Sequence, residues 1–136
     1  MFSKKLALSV LFGSLAFGAF ACASSGFVMP TREMPAGASF TGRWYTNFGE
    51  MKLTQQANGT THGTFDYKTG GTIDGTVSGG VLSFSWSQPG DFQVGRREVN
   101  GKGYLVISDD GTEVTGKWGY ADNYTGGGEW TGTKLP

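Results

Sequence analysis

Apolar and polar residues alternate along most of the chain after Ser39, which is the pattern of β-strands with one buried face. In the second such segment, Met51 and Leu53 share one face, and Lys52 and Thr54 share the other. Eight segments of this kind are predicted, marked by Phe40–Thr46, Met51–Gln55, Thr64–Lys68, Thr72–Ser78, Leu82–Ser87, Tyr104–Ile107, Val114–Tyr120 and Trp130–Lys134. No stretch after residue 38 carries an apolar stripe at helical spacing, so the chain is predicted to be all-β.

The segments are separated by dipeptides that favour tight turns, namely Asn58-Gly59, Gly70-Gly71, Gly79-Gly80 and Asp110-Gly111. Short hairpins join neighbouring strands into an antiparallel sheet. Rolling that sheet closed buries its apolar face and removes both edges. We therefore predict an eight-stranded antiparallel up-and-down barrel, with a two-sheet β-sandwich as the alternative.

The N-terminus has the pattern of a bacterial export signal. Two lysines precede the apolar run Leu6–Phe20, which is shorter than the roughly 18–20 residues that span a bilayer, and Ala19-Phe20-Ala21 places small residues at the positions required by the signal peptidase. Cys22 follows directly, which resembles the lipobox of bacterial lipoproteins, whose cysteine thiol is acylated. We predict a signal peptide at 1–21, a flexible tether at 22–38 that starts from lipidated Cys22, and a barrel domain at 39–136.

Composition limits the function of the mature chain. Removing residues 1–21 leaves 115 of the 136 residues, with 9 basic and 11 acidic side chains and a net charge of −2. This near-neutral balance argues against a nucleic-acid partner, which calls for a basic face. Cys22 is the only cysteine, so no disulfide can form within the chain. We predict no cofactor, no metal ion and no catalytic residue.

Three motifs resemble the opening two hairpins of the avidin and streptavidin family: Thr41–Tyr45, Asn47-Phe48-Gly49 and Gly63-Thr64-Phe65. The resemblance implies a barrel of the avidin or lipocalin type. In that family an Asn and a Ser near the first turn contact biotin, and the matching positions here hold Thr46 and Glu50. Because a carboxylate replaces a neutral hydroxyl there, polar groups would be badly paired and biotin is not an expected ligand.

The links after the first, third, fifth and seventh strands should lie at one end of the barrel, and two of them, 88–103 and 121–128, are longer than a hairpin needs. The predicted binding residues on these links are Phe48, Phe92, Arg96, Arg97, Asp122, Asn123 and Tyr124. Aromatic, arginine and amide groups of this kind bind sugar rings or anchor a protein partner. The main hypothesis is a non-enzymatic envelope protein that is anchored by lipid and binds a protein or glycan through these links.

Two other functions stay open. The barrel could carry a small apolar ligand in its interior, or carboxylates such as Glu98 and Asp122 could serve a glycan or ester hydrolase. His62, the only histidine, lies next to a turn and is predicted to face solvent. The residue after Cys22 is not the aspartate associated with inner-membrane retention, so we predict an outer-membrane lipoprotein, with a periplasmic or secreted protein as the alternative.

Overall fold

The protein is a closed eight-stranded antiparallel barrel, as predicted, and the sandwich alternative is not formed. The computed structural model describes residues 26–90, 95 and 97–136. The strands are β1 (Gly42–Thr46), β2 (Gly49–Gln55), β3 (Thr60–Phe65), β4 (Gly71–Ser78), β5 (Val81–Gln88), β6 (Val99–Ile107), β7 (Glu113–Tyr120) and β8 (Gly128–Lys134). Each strand pairs with the next, and β8 closes the barrel on β1 with Trp44 opposite Lys134.

Two strands differ from their predicted bounds by more than two residues at one end or both. β3 lies at 60–65 instead of 64–68, and β6 begins at Val99, well before Tyr104. The inward positions of the missed parts are Thr61 and Gly63 in β3 and Gly101 and Gly103 in β6. Because these residues are not large and apolar, the sequence shows no alternation of apolar and polar residues there.

Large inward side chains lie opposite glycines on the neighbouring strands. Gly103 of β6, for example, is paired with Phe84 on one side and with Trp118 on the other. The remaining cross-strand pairs of a ring and a glycine are Phe65 with Gly71, Phe84 with Gly75, Trp86 with Gly101, Tyr120 with Gly101, Trp118 with Gly128, and Trp130 with Gly116. Small and large residues thus alternate around the narrow interior, as small barrels require.

One end of the barrel is closed by the segment that precedes β1. Phe40 is fully buried, and its carbonyl oxygen accepts a hydrogen bond of 2.9 Å from Trp44 Nε1. Arg32 spans the turns at this end, donating to the carbonyl oxygen of Ile107 at 2.6 Å and pairing with Asp109. Met34 and Ala38 pack against the core from the same side.

The described part of the predicted tether, residues 26–38, contacts the barrel. In addition to the Arg32 contacts, the Phe27 ring stacks between Tyr104 of β6 and Tyr124, with centroid distances of 5.2 and 5.3 Å. The signal peptide and Cys22 lie outside the described residues. Within the described ranges, no helix has the length and hydropathy needed to cross a membrane.

The turn between β6 and β7 is organised by the Asp110 carboxylate. Its Oδ1 accepts hydrogen bonds from the Ser108 hydroxyl at 2.7 Å and from the backbone N–H and hydroxyl of Thr112 at 3.0 and 2.7 Å. These bonds, that from Ser108 first, lower the pKa of Asp110 from 3.8 to about 2 because they stabilise the charged form. Gly111 follows with φ of +72°, as the predicted turn requires.

We expect Gly103→Ala to lower the free energy of unfolding by about 1–3 kcal/mol, the usual cost of overpacking a core. A Cβ atom at this position would lie 2.6 Å from Phe84 Cζ and 2.8 Å from the Lys117 carbonyl oxygen. Urea denaturation should show that adding Phe84→Leu to Gly103→Ala costs less than the two single changes together. Ser85→Ala, on the exposed face of β5, is the control and should change stability by less than about 0.5 kcal/mol. Strict additivity of the two core changes would contradict this packing.

The stabilising effect of the Asp110 carboxylate depends on pH. Since the pKa of Asp110 is lower in the folded chain than in the unfolded one, its stabilisation is present above about pH 4 and is lost as pH falls towards about 2. We expect Asp110→Asn to be less stable than wild type at neutral pH, with the difference shrinking between about pH 4 and pH 2. Urea midpoints measured across this range test the prediction, and a difference independent of pH would refute it.

Candidate functional site

A cavity of about 310 Å³ opens at the end of the barrel opposite Phe40. At this end β1, β3, β5 and β7 finish and β2, β4, β6 and β8 start, so the four connections predicted to cluster join strands here. The described residues that line the cavity are Phe48, Phe65, Tyr67, Lys68, Trp86, Gln88, Trp118, Tyr120 and Trp130. We call this site the mouth cavity.

Aromatic rings in edge-to-face contact form the walls of the mouth cavity. Phe48, on the short link after β1, lies at the centre, with its ring centroid 5.1 Å from that of Tyr67, 5.5 Å from Trp118 and 5.2 Å from Trp130. On the other side, Trp118 contacts both Trp86 and Tyr120 in the same manner. Aromatic pairs in this arrangement contribute about 0.5–1.5 kcal/mol each beyond their buried area, so the walls are a fixed surface.

The four tryptophan side chains divide into two pairs by the hydrogen bonding of their indole N–H groups. Trp44 donates to the Phe40 carbonyl oxygen, and Trp86 donates to the Gly119 carbonyl oxygen at 3.1 Å. The Nε1 atoms of Trp118 and Trp130 are buried and have no hydrogen-bond partner among the described residues. Both of these tryptophans line the mouth cavity, and Trp130 is only 2% exposed.

Polar groups of the rim hold the loop after β3 over the cavity. Gln88 Nε2 donates to the Tyr67 carbonyl oxygen at 2.8 Å, and Lys68 Nζ lies 5.1 Å from the centroid of the Tyr67 ring. Lys68 has a φ of +55°, and Ala121, which follows rim residue Tyr120, has a φ of +53°. The left-handed conformation costs a residue with a Cβ about 1–2 kcal/mol. Of the described non-glycine residues, only these two adopt it, and both adjoin tyrosines of the mouth.

The structure brings one described residue of the predicted binding set, Phe48, to the mouth cavity. The Asn123 side chain instead organises its own loop, since Oδ1 accepts from the N–H groups of Thr125 and Gly126 at 2.8 and 2.7 Å. Tyr124 lies on the outer wall, beneath Phe27 and 5.4 Å from Lys102 Nζ. The remaining predicted residues are Arg97 and Asp122, which are exposed, and Phe92 and Arg96, which lie outside the described residues.

The candidate carboxylates for hydrolysis are on the outside of the barrel. Glu98 and Asp122 line a polar depression of about 460 Å³ across β4 to β7, where Glu98 accepts a hydrogen bond from Ser87 Oγ at 3.0 Å. His62 is exposed, as expected, and pairs across strands with Asp74. Among the described residues no group of three or more His, Cys, Asp or Glu side chains could hold a metal ion. A further depression of about 570 Å³ lies against the outside of β1, β7 and β8.

The residues at the two positions that match the biotin contacts of the avidin family make other interactions. Thr46 Oγ1 donates to the Gly49 carbonyl oxygen at 2.7 Å and accepts from the Phe48 N–H, which shapes the first turn. Glu50 pairs with Arg43 across β1 and β2. Neither residue lines the mouth cavity.

Apart from Phe48, the residues of the cavity wall were not predicted from the sequence as binding residues. Trp86 and Trp130 lie inside predicted strands and are indeed part of the hydrophobic core, and Trp118 packs against it, but all three also line the cavity. Tyr67 lies beyond the end of β3 and not inside a strand as predicted. The sequence does contain a signal, because Tyr67, Gln88 and Tyr120 each lie at or just beyond the mouth end of a strand. Aromatic or amide side chains at the same end of several strands indicate an opening that these side chains line, and not a filled core.

Comparisons with known proteins assign no relationship: no protein-family model matches the chain, and no curated protein or solved structure matches it significantly.

Proposed function

We propose that this protein binds a small, flat, largely apolar molecule that carries a hydrogen-bond acceptor, and that it does so in the mouth cavity. The observation that supports the proposal is the pair of buried indole N–H groups, of Trp118 and Trp130, that have no hydrogen-bond partner among the described residues and belong to residues lining an aromatic cavity. This corresponds to the carrier alternative from the sequence.

Hydrogen-bond energetics support a ligand with an acceptor. A buried donor without a partner costs about 1–3 kcal/mol, and a ligand removes that cost when its acceptor comes within hydrogen-bond distance of the donor. The other two indole N–H groups are satisfied by backbone carbonyls, both at the closed end (Trp44) and in the cavity wall (Trp86), so an indole donor without a partner is not the rule in this fold.

The shape and chemistry of the mouth cavity indicate a small ligand and a binding role. Its volume of about 310 Å³ is at the low end of the range of about 300–1,000 Å³ for small-molecule sites. The described lining residues include no carboxylate, imidazole or thiol, the groups that acid–base or nucleophilic catalysis uses most. Binding through the loops to a protein or glycan has less support, because Phe48 is the only described member of the predicted set at the cavity.

We further propose that the barrel works in the bacterial envelope as a lipid-anchored protein, with Cys22 as the modified residue. The support is the export-signal pattern of residues 1–21 and the cysteine directly after it. Several acyl chains on one cysteine would hold the protein stably, since each buried methylene contributes about 0.8 kcal/mol.

Binding can be tested with coumarin, a flat neutral compound that has a carbonyl acceptor. In protein labelled with ¹⁵N at the indole nitrogens, we expect coumarin to shift the Trp118 and Trp130 resonances and to leave Trp44, at the closed end, in place. Saturating coumarin that leaves all four resonances unchanged, or that moves Trp44 most, would contradict the site.

Removing one indole N–H group tests whether the acceptor of the ligand binds to it. Trp130→Phe keeps a ring at the position and deletes the N–H, so we expect coumarin affinity to fall by about 1 kcal/mol, roughly fivefold. Tyr45→Phe is the control, since Tyr45 is exposed on the outer wall and its change should leave affinity unaltered. Equal affinity of Trp130→Phe and wild type would argue against hydrogen bonding at this donor.

Lipid modification of Cys22 can be tested separately from ligand binding. We expect the wild-type protein to incorporate a labelled fatty acid and to sediment with membranes, and Cys22→Ser to lose both properties because the acylated thiol is gone. A Cys22→Ser protein that still sediments with membranes would refute the lipid anchor and leave the ligand site unaffected.

A further inference from the structure

We infer that the ligand of the mouth cavity is a small aromatic carboxylate, whose ring lies among the aromatic walls and whose anionic group faces Lys68. This inference rests on the proposed function and specifies the class of ligand. It is carried by the placement of one ammonium group at the rim of a cavity whose other described lining residues carry no formal charge.

Lys68 is the only residue with a formal charge among the described residues that line the cavity. The ion pairs found in the described part of the chain join Arg32 to Asp109, Arg43 to Glu50 and His62 to Asp74, and none involves Lys68. Its ammonium, with three donors, is therefore not paired with a described carboxylate. An anionic group on a ligand is the natural counterion at this position.

Two contacts hold the Lys68 side chain and its loop at the rim. The ammonium lies over the Tyr67 ring at 5.1 Å, which is a cation–π distance, and the Tyr67 backbone carbonyl is fixed by Gln88. Lys68 itself adopts a left-handed backbone conformation, with glycines at positions 70 and 71 of the same link. Glycine adopts this conformation with less strain than lysine, so the backbone conformation does not explain why residue 68 is a lysine.

The remaining groups define the rest of the ligand. The cavity borders edge-to-face aromatic rings against which a flat ring can pack, and the buried donors of Trp118 and Trp130 favour an acceptor oxygen on or near that ring. A volume of about 310 Å³ limits the molecule to one or two fused rings with a short acidic group. A carboxylate also strengthens hydrogen bonds to the donors that it reaches, because charge-assisted bonds are the stronger ones.

Three probes of nearly equal shape test the charge preference: 2-naphthoate, neutral 2-naphthamide and cationic 2-naphthylmethylamine. We expect wild type to bind the naphthoate roughly two- to fivefold more tightly than the amide, the range for an exposed ion pair, and the amine most weakly. The naphthoate preference should decline as salt is raised, because an exposed charge is screened, whereas amide binding should change little.

Two substitutions at Lys68 identify the charge that sets the preference. Lys68→Met should bring naphthoate affinity down to that of the amide, and Lys68→Glu should invert the order so that the amine binds best. Lys52→Met, on the exposed face of β2, is the matched control and should keep the wild-type order. Circular dichroism of each variant confirms that the barrel is retained.

The outcomes separate the two proposals. Failure of coumarin and all three naphthalene probes to bind would overturn both the ligand site and its charge preference. Equal binding of naphthoate and amide, with no response to Lys68→Glu, would overturn the carboxylate inference while the ligand site stands. A preference that is inverted by Lys68→Glu but kept by Lys52→Met would support both.

Discussion

The pairing of inward rings with glycines on adjacent strands is the constraint on which the rest of the structure depends. An eight-stranded barrel encloses only enough space for side chains, so two large rings cannot lie opposite each other on neighbouring strands throughout. Gly103 illustrates the solution, since it is paired with Phe84 on one neighbouring strand and with Trp118 on the other, and the Phe84 ring occupies the space that a Cβ atom would need. The aromatic residues can then interlock near the axis while the backbone hydrogen bonds of the sheet remain intact.

This constraint also explains why the two ends of the barrel differ. At one end the chain before β1 closes the barrel, because Phe40 fills the opening and Arg32 contacts the turns beside it. At the other end the links after β1 and β3 contribute rings to the walls, and the described residues leave a cavity among them. The four tryptophans differ in their indole N–H groups: those of Trp44 and Trp86 donate to backbone carbonyls, while those of Trp118 and Trp130 have no partner in the described part of the chain.

Much of the fold followed from local pattern. Strands such as β4, β5 and β7 show a clear period of two, and the predicted turns contain Gly59, Gly70, Gly79 and Gly111 at positive φ. Where the inward residue was glycine or threonine, as in β3 and the first half of β6, the pattern was missing because small residues carry no hydrophobic signal. The site was less predictable: Phe48 was identified from its link, whereas Trp118 and Trp130 looked like ordinary core residues.

The sequence by itself determined the all-β class, the order of hairpins, the gathering of alternate links at one end and the export pattern before Cys22, because each depends on residues close together in the chain. Only the tertiary structure decided which indole N–H groups find a carbonyl, that Tyr124 lies on the outer wall and that Lys68 borders a cavity. Those outcomes depend on the register between strands and on which ring reaches which glycine. Contacts between residues distant in sequence fix both, and no local pattern records them.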